Sequence, residues 1–277
     1  MPVMRLKEAD IYYESTGDGN PPLVFIHGFT CDHTDWDFQV KHLSRTNRVI
    51  TCDLRGHGQP TGARLSVTIE DMARDTASLL KLLGVRDAIL IGHSMGCRVV
   101  LETGLQNPKL VAGVVFVDGS QQVRGNPADA AETFRKALES TGFPAYARSN
   151  FGGMFFGDYD VSLKDRIIAR ALRLNPEFGI SLRSNFAGWD ATRAEKALSE
   201  LKVPLLAIQS TGVDAKGERY SLKKGETTPW LDMVKRLVPS SRIEILPGHG
   251  HFVMLEATDP VNELIALFAA QFRHSTV

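Results

Sequence analysis

The stretch Ile89-Leu90-Ile91-Gly92-His93-Ser94-Met95-Gly96-Cys97 decides how this chain reads. An apolar run ends in Gly-x-Ser-x-Gly and passes directly into an apolar helical segment, Arg98 to Gln106, that stops before Pro108. Strand, turn and helix in so few residues force a sharp backbone reversal at Ser94, which projects the hydroxyl beyond the strand end. Gly92 and Gly96 remove the side chains that would collide across the turn. The N–H of Met95 then opens a helix, where a developing oxyanion is favoured. A bare G-x-S-x-G is a weak signal; the strand before it and the helix after it make it specific.

Further apolar runs lie on both sides of this stretch: Leu23 to Ile26, Arg48 to Cys52, Val111 to Val117, Pro204 to Ile208 and Arg242 to Leu246. Continuous rather than alternating runs indicate strands covered on both faces, as in a parallel sheet. Helical periods separate them. Ile69, Met72, Ala73, Thr76, Leu80 and Leu83 share one helix face, with a capping box from Thr68 and Asp71 and a stop at Gly84. Near the C-terminus, Asp259 reads as an N-cap with Pro260 in the first turn, followed by the stripe Val261, Leu264, Ile265, Phe268 and Phe272. The alternation predicts an α/β fold with a doubly wound, mostly parallel sheet. Ile11-Tyr12-Tyr13-Glu14 predicts an antiparallel edge hairpin.

The rhythm breaks between residues 122 and 200, where no strand-like run occurs. Asn126-Pro127 opens a helix that Gly142 closes, and Leu163, Ile167, Ile168, Ala171 and Leu172 mark another. Aromatics are dense between them, including Phe143, Tyr146, Phe151, Phe155, Phe156 and Tyr159. The expectation is a core of residues 1–121 and 201–277 with a helical cap, 122–200, inserted over the sheet. Additional crossover helices are the plainer alternative.

Composition narrows the classes. The chain has 277 residues, 43% of them hydrophobic, enough for a sizeable core. Lys+Arg and Asp+Glu both number 32, so the basic footprint of a nucleic-acid binder is missing. The first ten residues lack the apolar region of a signal peptide. No apolar run approaches the roughly 18 residues of a membrane span. Cys31, Cys52 and Cys97 are odd in number and widely spaced, which argues against a disulfide framework or a zinc site. Three reduced thiols in a cytoplasmic protein is the expectation.

Two more motifs carry chemistry. Val24-Phe25-Ile26-His27-Gly28-Phe29-Thr30 ends a strand in His-Gly, and the backbone N–H of Phe29 is the expected second oxyanion donor beside that of Met95. His27 reads as a loop-holding residue rather than a base. The base is expected after the last strand, where Gly248-His249-Gly250-His251-Phe252 offers two histidines. His251 is preferred because it directly precedes the turn into the last helix; His249 reads as solvated or supporting.

Together, His27-Gly28-Phe29, Asp53-Leu54-Arg55-Gly56-His57-Gly58, Gly92-His93-Ser94-Met95-Gly96 and Gly250-His251-Phe252 resemble the α/β-hydrolase superfamily over nearly the whole chain. The resemblance implies the serine-nucleophile members with a helical lid. Dehalogenases and epoxide hydrolases use a carboxylate at the elbow, so Ser94 argues against them. Asp53 to Gly58 reads as a structural turn tied by side-chain bonds. Most members carry the triad acid after the strand that follows the lid, which here leads into Gln209-Ser210-Thr211-Gly212-Val213-Asp214. Ser210 stands where a Gly is usual, and Asp214 falls one place late. Some relatives hold the acid one strand earlier, and here Asp118 ends Val115-Phe116-Val117. Asp118 is preferred because a strand tip positions a side chain better than a long polar loop; Asp214 remains the alternative.

The activity implied is a serine hydrolase that cleaves an ester, lactone or related carbonyl compound through an acyl-enzyme. It requires no metal and no organic cofactor. The expected partner is a small apolar or aromatic carbonyl substrate, with no nucleic acid and no membrane; the oligomeric state is not readable. The same fold also hosts carbon–carbon bond hydrolases, cofactor-free oxygenases and slow-triad ligand receptors.

Overall fold

The computed structural model describes residues 3–7, 9–58, 66–121 and 129–273. Its frame is an eight-stranded sheet. In chain order the strands are β1 (Val3–Arg5), β2 (Asp10–Thr16), β3 (Leu23–Ile26), β4 (Val49–Cys52), β5 (Ala88–His93), β6 (Val111–Val117), β7 (Leu205–Gln209) and, after a separate hairpin, β10 (Arg242–Ile245). Their spatial order is β1-β2-β4-β3-β5-β6-β7-β10. Every neighbouring pair from β4 to β10 is parallel, and the antiparallel pairs are β1 with β2 and β2 with β4. This is the mostly parallel sheet that the apolar runs predict. Leu23, Val24, Phe25, Ile26, Leu90, Ile91, Val114 and Val115 have no exposed surface, as strands covered on both faces require.

Helices α1 (Asp37–Leu43), α2 (Ile69–Leu82) and α3 (Met95–Gln106) belong to this frame, as do α9 (Pro229–Leu237), α10 (Val253–Glu256) and α11 (Thr258–Ala270). The Thr68–Asp71 capping box closes the start of α2, and Gly84 with φ +65° follows its end. One expectation needs correction. The last helix begins at Thr258 rather than after an Asp259 cap, with Ala257 at the cap position. Helix α10 ends only two residues earlier, so no extended residue is left where Asp259 stands.

Between β6 and β7 lie α4 (Ala130–Thr141), α5 (Phe143–Gly152), α6 (Val161–Ala171), α7 (Pro176–Thr192) and α8 (Ala194–Glu200). Among the described residues of this span there is no strand. Gly142 ends α4 with φ +80°; Asn126-Pro127 lies outside the described residues. Helix α7 is the longest of the five and packs along α4. Its Asn175 side chain accepts the Phe178 N–H at 3.0 Å, and Phe178, Leu182, Phe186 and Trp189 form its buried row.

A two-stranded sheet, β8 (Thr211–Val213) with β9 (Arg219–Ser221), follows β7 where the sequence suggests only a polar loop. Among the described residues no helix is long and apolar enough to cross a membrane. All three cysteines are free and buried.

Candidate active site

The C-terminal ends of β3 and β5 and the loop after β10 converge on one small cavity, the usual place for ligands in an open α/β sheet. Ser94 stands at the turn between β5 and α3 with φ 53° and ψ −113°, a strained conformation for a residue with a side chain. The glycines on either side make the turn possible. A Cβ on Gly92 would lie 2.3 Å from the Gly96 carbonyl oxygen, and one on Gly96 would lie 2.5 Å from that of Ile26. The Ser94 N–H donates to Val117 O at 3.0 Å, which ties the elbow to the end of β6.

Asp118 directly follows β6, with φ 46°. It is fully buried and takes donors on both oxygens. Oδ1 accepts the Ser210 N–H and the Thr211 N–H, each at 2.8 Å, and Ser210 Oγ lies 3.0 Å away. Oδ2 accepts Thr211 Oγ1 at 2.5 Å and Arg219 Nη1 at 3.3 Å, and lies 2.6 Å from His251 Nδ1. Burial opposes the carboxylate's charge, but His251, Arg219 and Thr211 favour it and hold the group down at about pKa 2. His251 is likewise buried; burial foremost, then Arg219, bring its imidazole down to about 4. The contact with Asp118 puts the ring proton on Nδ1 and leaves Nε2 as the acceptor.

The loop around His251 is held from three sides. Its N–H donates to Met154 O at 2.8 Å, and its carbonyl lies 2.9 Å from His93 Nε2. The Glu256 carboxylate accepts the N–H groups of Gly250 and Phe252 at 2.7 and 3.2 Å. Burial pushes the Glu256 carboxyl up to about 7.

Asp214 sits elsewhere. It is exposed and closes the turn between β8 and β9 by accepting the Lys216 and Glu218 N–H groups at 2.8 and 2.9 Å. His249 is half-buried, and its carbonyl accepts Ser221 Oγ. His27 is tied off: its Nδ1 lies 2.8 Å from Gly28 O, and its Nε2 accepts the Leu54 N–H at 2.9 Å. In the Asp53–Gly58 turn, the Asp53 carboxylate takes the His33 N–H and ring, and Arg55 pairs with Asp75 in a buried two-point contact.

Ser94 and His251 line the cavity together with Phe29, Phe252, Phe151 of α5, Met154 of the turn after it and Phe186 of α7. The Phe29 ring meets Phe186, Phe143 and Phe151 at 5.5, 6.1 and 6.5 Å between centroids. Polar groups reach the same space. Arg98 is paired with Asp190 at 2.6 and 2.7 Å, and Arg183 lies between the rings of Phe134 and Phe186 with its Nε donating to Tyr146 Oη at 2.8 Å. The free space in the cavity is about 20 Å³, room for about one water. Among the described residues no group of three His, Cys, Asp or Glu side chains is placed to hold a metal ion.

Sequence reasoning missed Ser210, Thr211, Arg219 and Glu256. Ser210 and Thr211 did carry a signal: two hydroxyl residues at the end of an otherwise apolar strand. Arg219 and Glu256 gave none, because their partners lie 101 residues and six residues away across separate elements.

The family profile described as "Alpha/beta hydrolase family" matches residues 23–264. The chain is 38% identical over 249 residues to the sn-1-specific diacylglycerol lipase ABHD11 of Danio rerio, covering 87% of this chain and 75% of that protein. It is 26% identical over 257 residues to the dihydrolipoyllysine-residue acetyltransferase component of the acetoin cleaving system of Pseudomonas putida; the match covers 93% of this chain but 65% of that longer protein. In fold it is similar to the enol-lactonase of Burkholderia xenovorans LB400, with a TM-score of 0.79, 22% identity, and coverage of 97% of this chain and 100% of that one. The profile match spans most of the sheet and all the helices between β6 and β7, and the chain is an enzyme that belongs to the alpha/beta hydrolase family.

Proposed function

We propose that the protein is a serine hydrolase in which Ser94 is the nucleophile, His251 the general base and Asp118 the acid that orients it. The 2.6 Å contact between Asp118 Oδ2 and His251 Nδ1, at a cavity that His251 shares with the strained Ser94 elbow, carries this reading. His251 Nε2 takes the Ser94 proton as Oγ attacks the substrate carbonyl. The oxyanion rests on the N–H groups of Phe29 and Met95, the latter at the start of α3. His251 returns the proton to the leaving group as its bond to the acyl carbon breaks. Water, deprotonated by His251, then hydrolyses the acyl-enzyme and restores Ser94. No step calls for a metal or an organic cofactor.

Residues 122–200 act as the cap in this reading. Phe151, Met154 and Phe186 supply much of the apolar lining, which suits an apolar or aromatic group on an ester, lactone or related carbonyl compound. A cavity of about 20 Å³ is smaller than such a substrate, and in this reading the cap gives way to admit it. The buried free thiols suit a reducing compartment such as the cytoplasm.

The test is turnover of acyl esters of graded chain length, lactones and vinylogous diketones by the parent and Ser94→Ala. The variant is expected to fold and to lose kcat/KM by at least about a thousandfold. Near-parental turnover by Ser94→Ala would refute the reading. Oxygen uptake on an aromatic substrate without ester turnover would point to an oxygenase instead.

A further inference from the structure

The acid at the end of β6 has an unusual neighbour. The side chain of Arg219 is only 6% exposed, and its Nη1 lies 3.3 Å from Asp118 Oδ2, the oxygen that faces His251 Nδ1. The same nitrogen donates to Thr211 Oγ1 at 2.5 Å, and that hydroxyl donates to Oδ2. The polarity of the chain is consistent from guanidinium to hydroxyl to carboxylate. The hairpin explains the placement. Thr211 pairs with Ser221 and Val213 with Arg219, so strand alternation brings Thr211, Arg219 and Ser221 to one face. Thr211 and Arg219 engage the carboxylate, while Ser221 Oγ engages the His249 carbonyl in the loop before His251.

We propose that Arg219 is a positioning residue of this site, whose guanidinium neutralises Asp118 and thereby lowers the proton affinity of His251. An unneutralised carboxylate stabilises the imidazolium that faces it. Here the imidazolium would form against a carboxylate already paired with a buried cation, with little water to screen either charge. A guanidinium keeps its charge when buried, so the effect does not depend on pH over the working range. Among the described residues, the other charged or titratable groups around His251 are His93, its ring 4.7 Å away, Cys31, Arg98, Arg183 and Tyr146 lining the same cavity, and Glu256 below the loop. All of them are unchanged by substitution at position 219, so a difference between variants isolates Arg219. Burial and Arg219 are the two largest causes holding the His251 imidazole low. The consequence is a base that stays neutral and competent in mildly acidic solution.

The inference builds on the roles proposed for Ser94, His251 and Asp118, but its test does not need turnover. The experiment is an NMR titration of the His251 imidazole in full-length protein with labelled histidine, assigned with a His251→Gln sample. In the parent, His251 should titrate at least one unit below the ordinary imidazole value of about 6.5. Arg219→Gln should raise that midpoint by about one unit or more, and Arg219→Lys, which restores the charge, should keep it near the parent value. The acid limb of kcat/KM for a chromogenic ester should move with the midpoint. Equal midpoints in the parent and Arg219→Gln would overturn the proposal, because a purely structural role predicts lost stability without a shift. A parent midpoint near 6.5 would overturn it even if Arg219→Gln failed to fold. A shifted midpoint in a protein that lacks ester turnover would uphold the role of Arg219 and refute the hydrolase reading.

Discussion

Asp118 and Asp214 each directly follow a strand, β6 and β8, and their surroundings are opposite. Asp118 is fully buried, with donors from β7's end, the hairpin and the His251 ring. Asp214 is exposed and satisfies two N–H groups of its own turn. The difference teaches what the acid of the proposed triad requires. Burial alone would raise the pKa of a carboxylate, so the site must supply enough donors to keep it charged. At Asp118 those donors come from distant segments that the fold brings together. At Asp214 the donors are local and do the ordinary work of an Asx turn.

The largest effect should separate the two positions. Asp118→Asn is expected to lower kcat/KM by about 10³ to 10⁴, because an amide facing Nδ1 favours the wrong histidine tautomer. It also leaves Arg219 buried beside a neutral group, so thermal unfolding should show a loss of about 1–3 kcal/mol. Glu256→Ala comes next. Losing the acceptor for the Gly250 and Phe252 N–H groups loosens the loop that aims His251, and a drop in kcat of about tenfold is expected with little change in KM.

The pH profile sharpens the comparison. With the His251 imidazole lowered to about 4, the base is neutral above that value. The kcat/KM of the parent should therefore hold as pH falls through 6 and decline only as it approaches 4. Glu256 near 7 should add at most a shallow step, since its protonated form still offers one acceptor oxygen. The smallest effect belongs to Asp214→Asn, which preserves a side-chain acceptor for the turn and should leave kcat/KM within about twofold.

The parts legible in the sequence share a physical cause. Strands β3, β5 and β6 are buried on both faces, and this forces continuous apolar runs such as Leu23 to Ile26 and Val111 to Val117. The elbow was legible because its tight turn demands Gly92 and Gly96 at fixed places. The hairpin of β8 and β9 was not legible. Its strands are three residues each, and the inward face of Thr211, Arg219 and Ser221 is polar because it meets a carboxylate and a carbonyl instead of a core. Helix α7 was hidden for a related reason. Phe178, Leu182, Phe186 and Trp189 keep helical spacing, but Ser181, Arg183, Ser184 and Asp190 are buried beside them, which blurs the amphipathic pattern. Helix α5 has few buried apolar residues to mark it, with Phe143, Ala147 and Phe151 as its inner row.

The most direct test of the account is the rate at which a fluorophosphonate probe modifies Ser94, measured by peptide mass analysis in the parent, Asp118→Asn and Asp214→Asn. Labelling needs the nucleophile, the base and its acid but no knowledge of the natural substrate. The account predicts an adduct on Ser94, a rate at least about a hundredfold slower in Asp118→Asn, and a parental rate in Asp214→Asn. An adduct on another residue, or slow labelling in Asp214→Asn with a parental rate in Asp118→Asn, would contradict it.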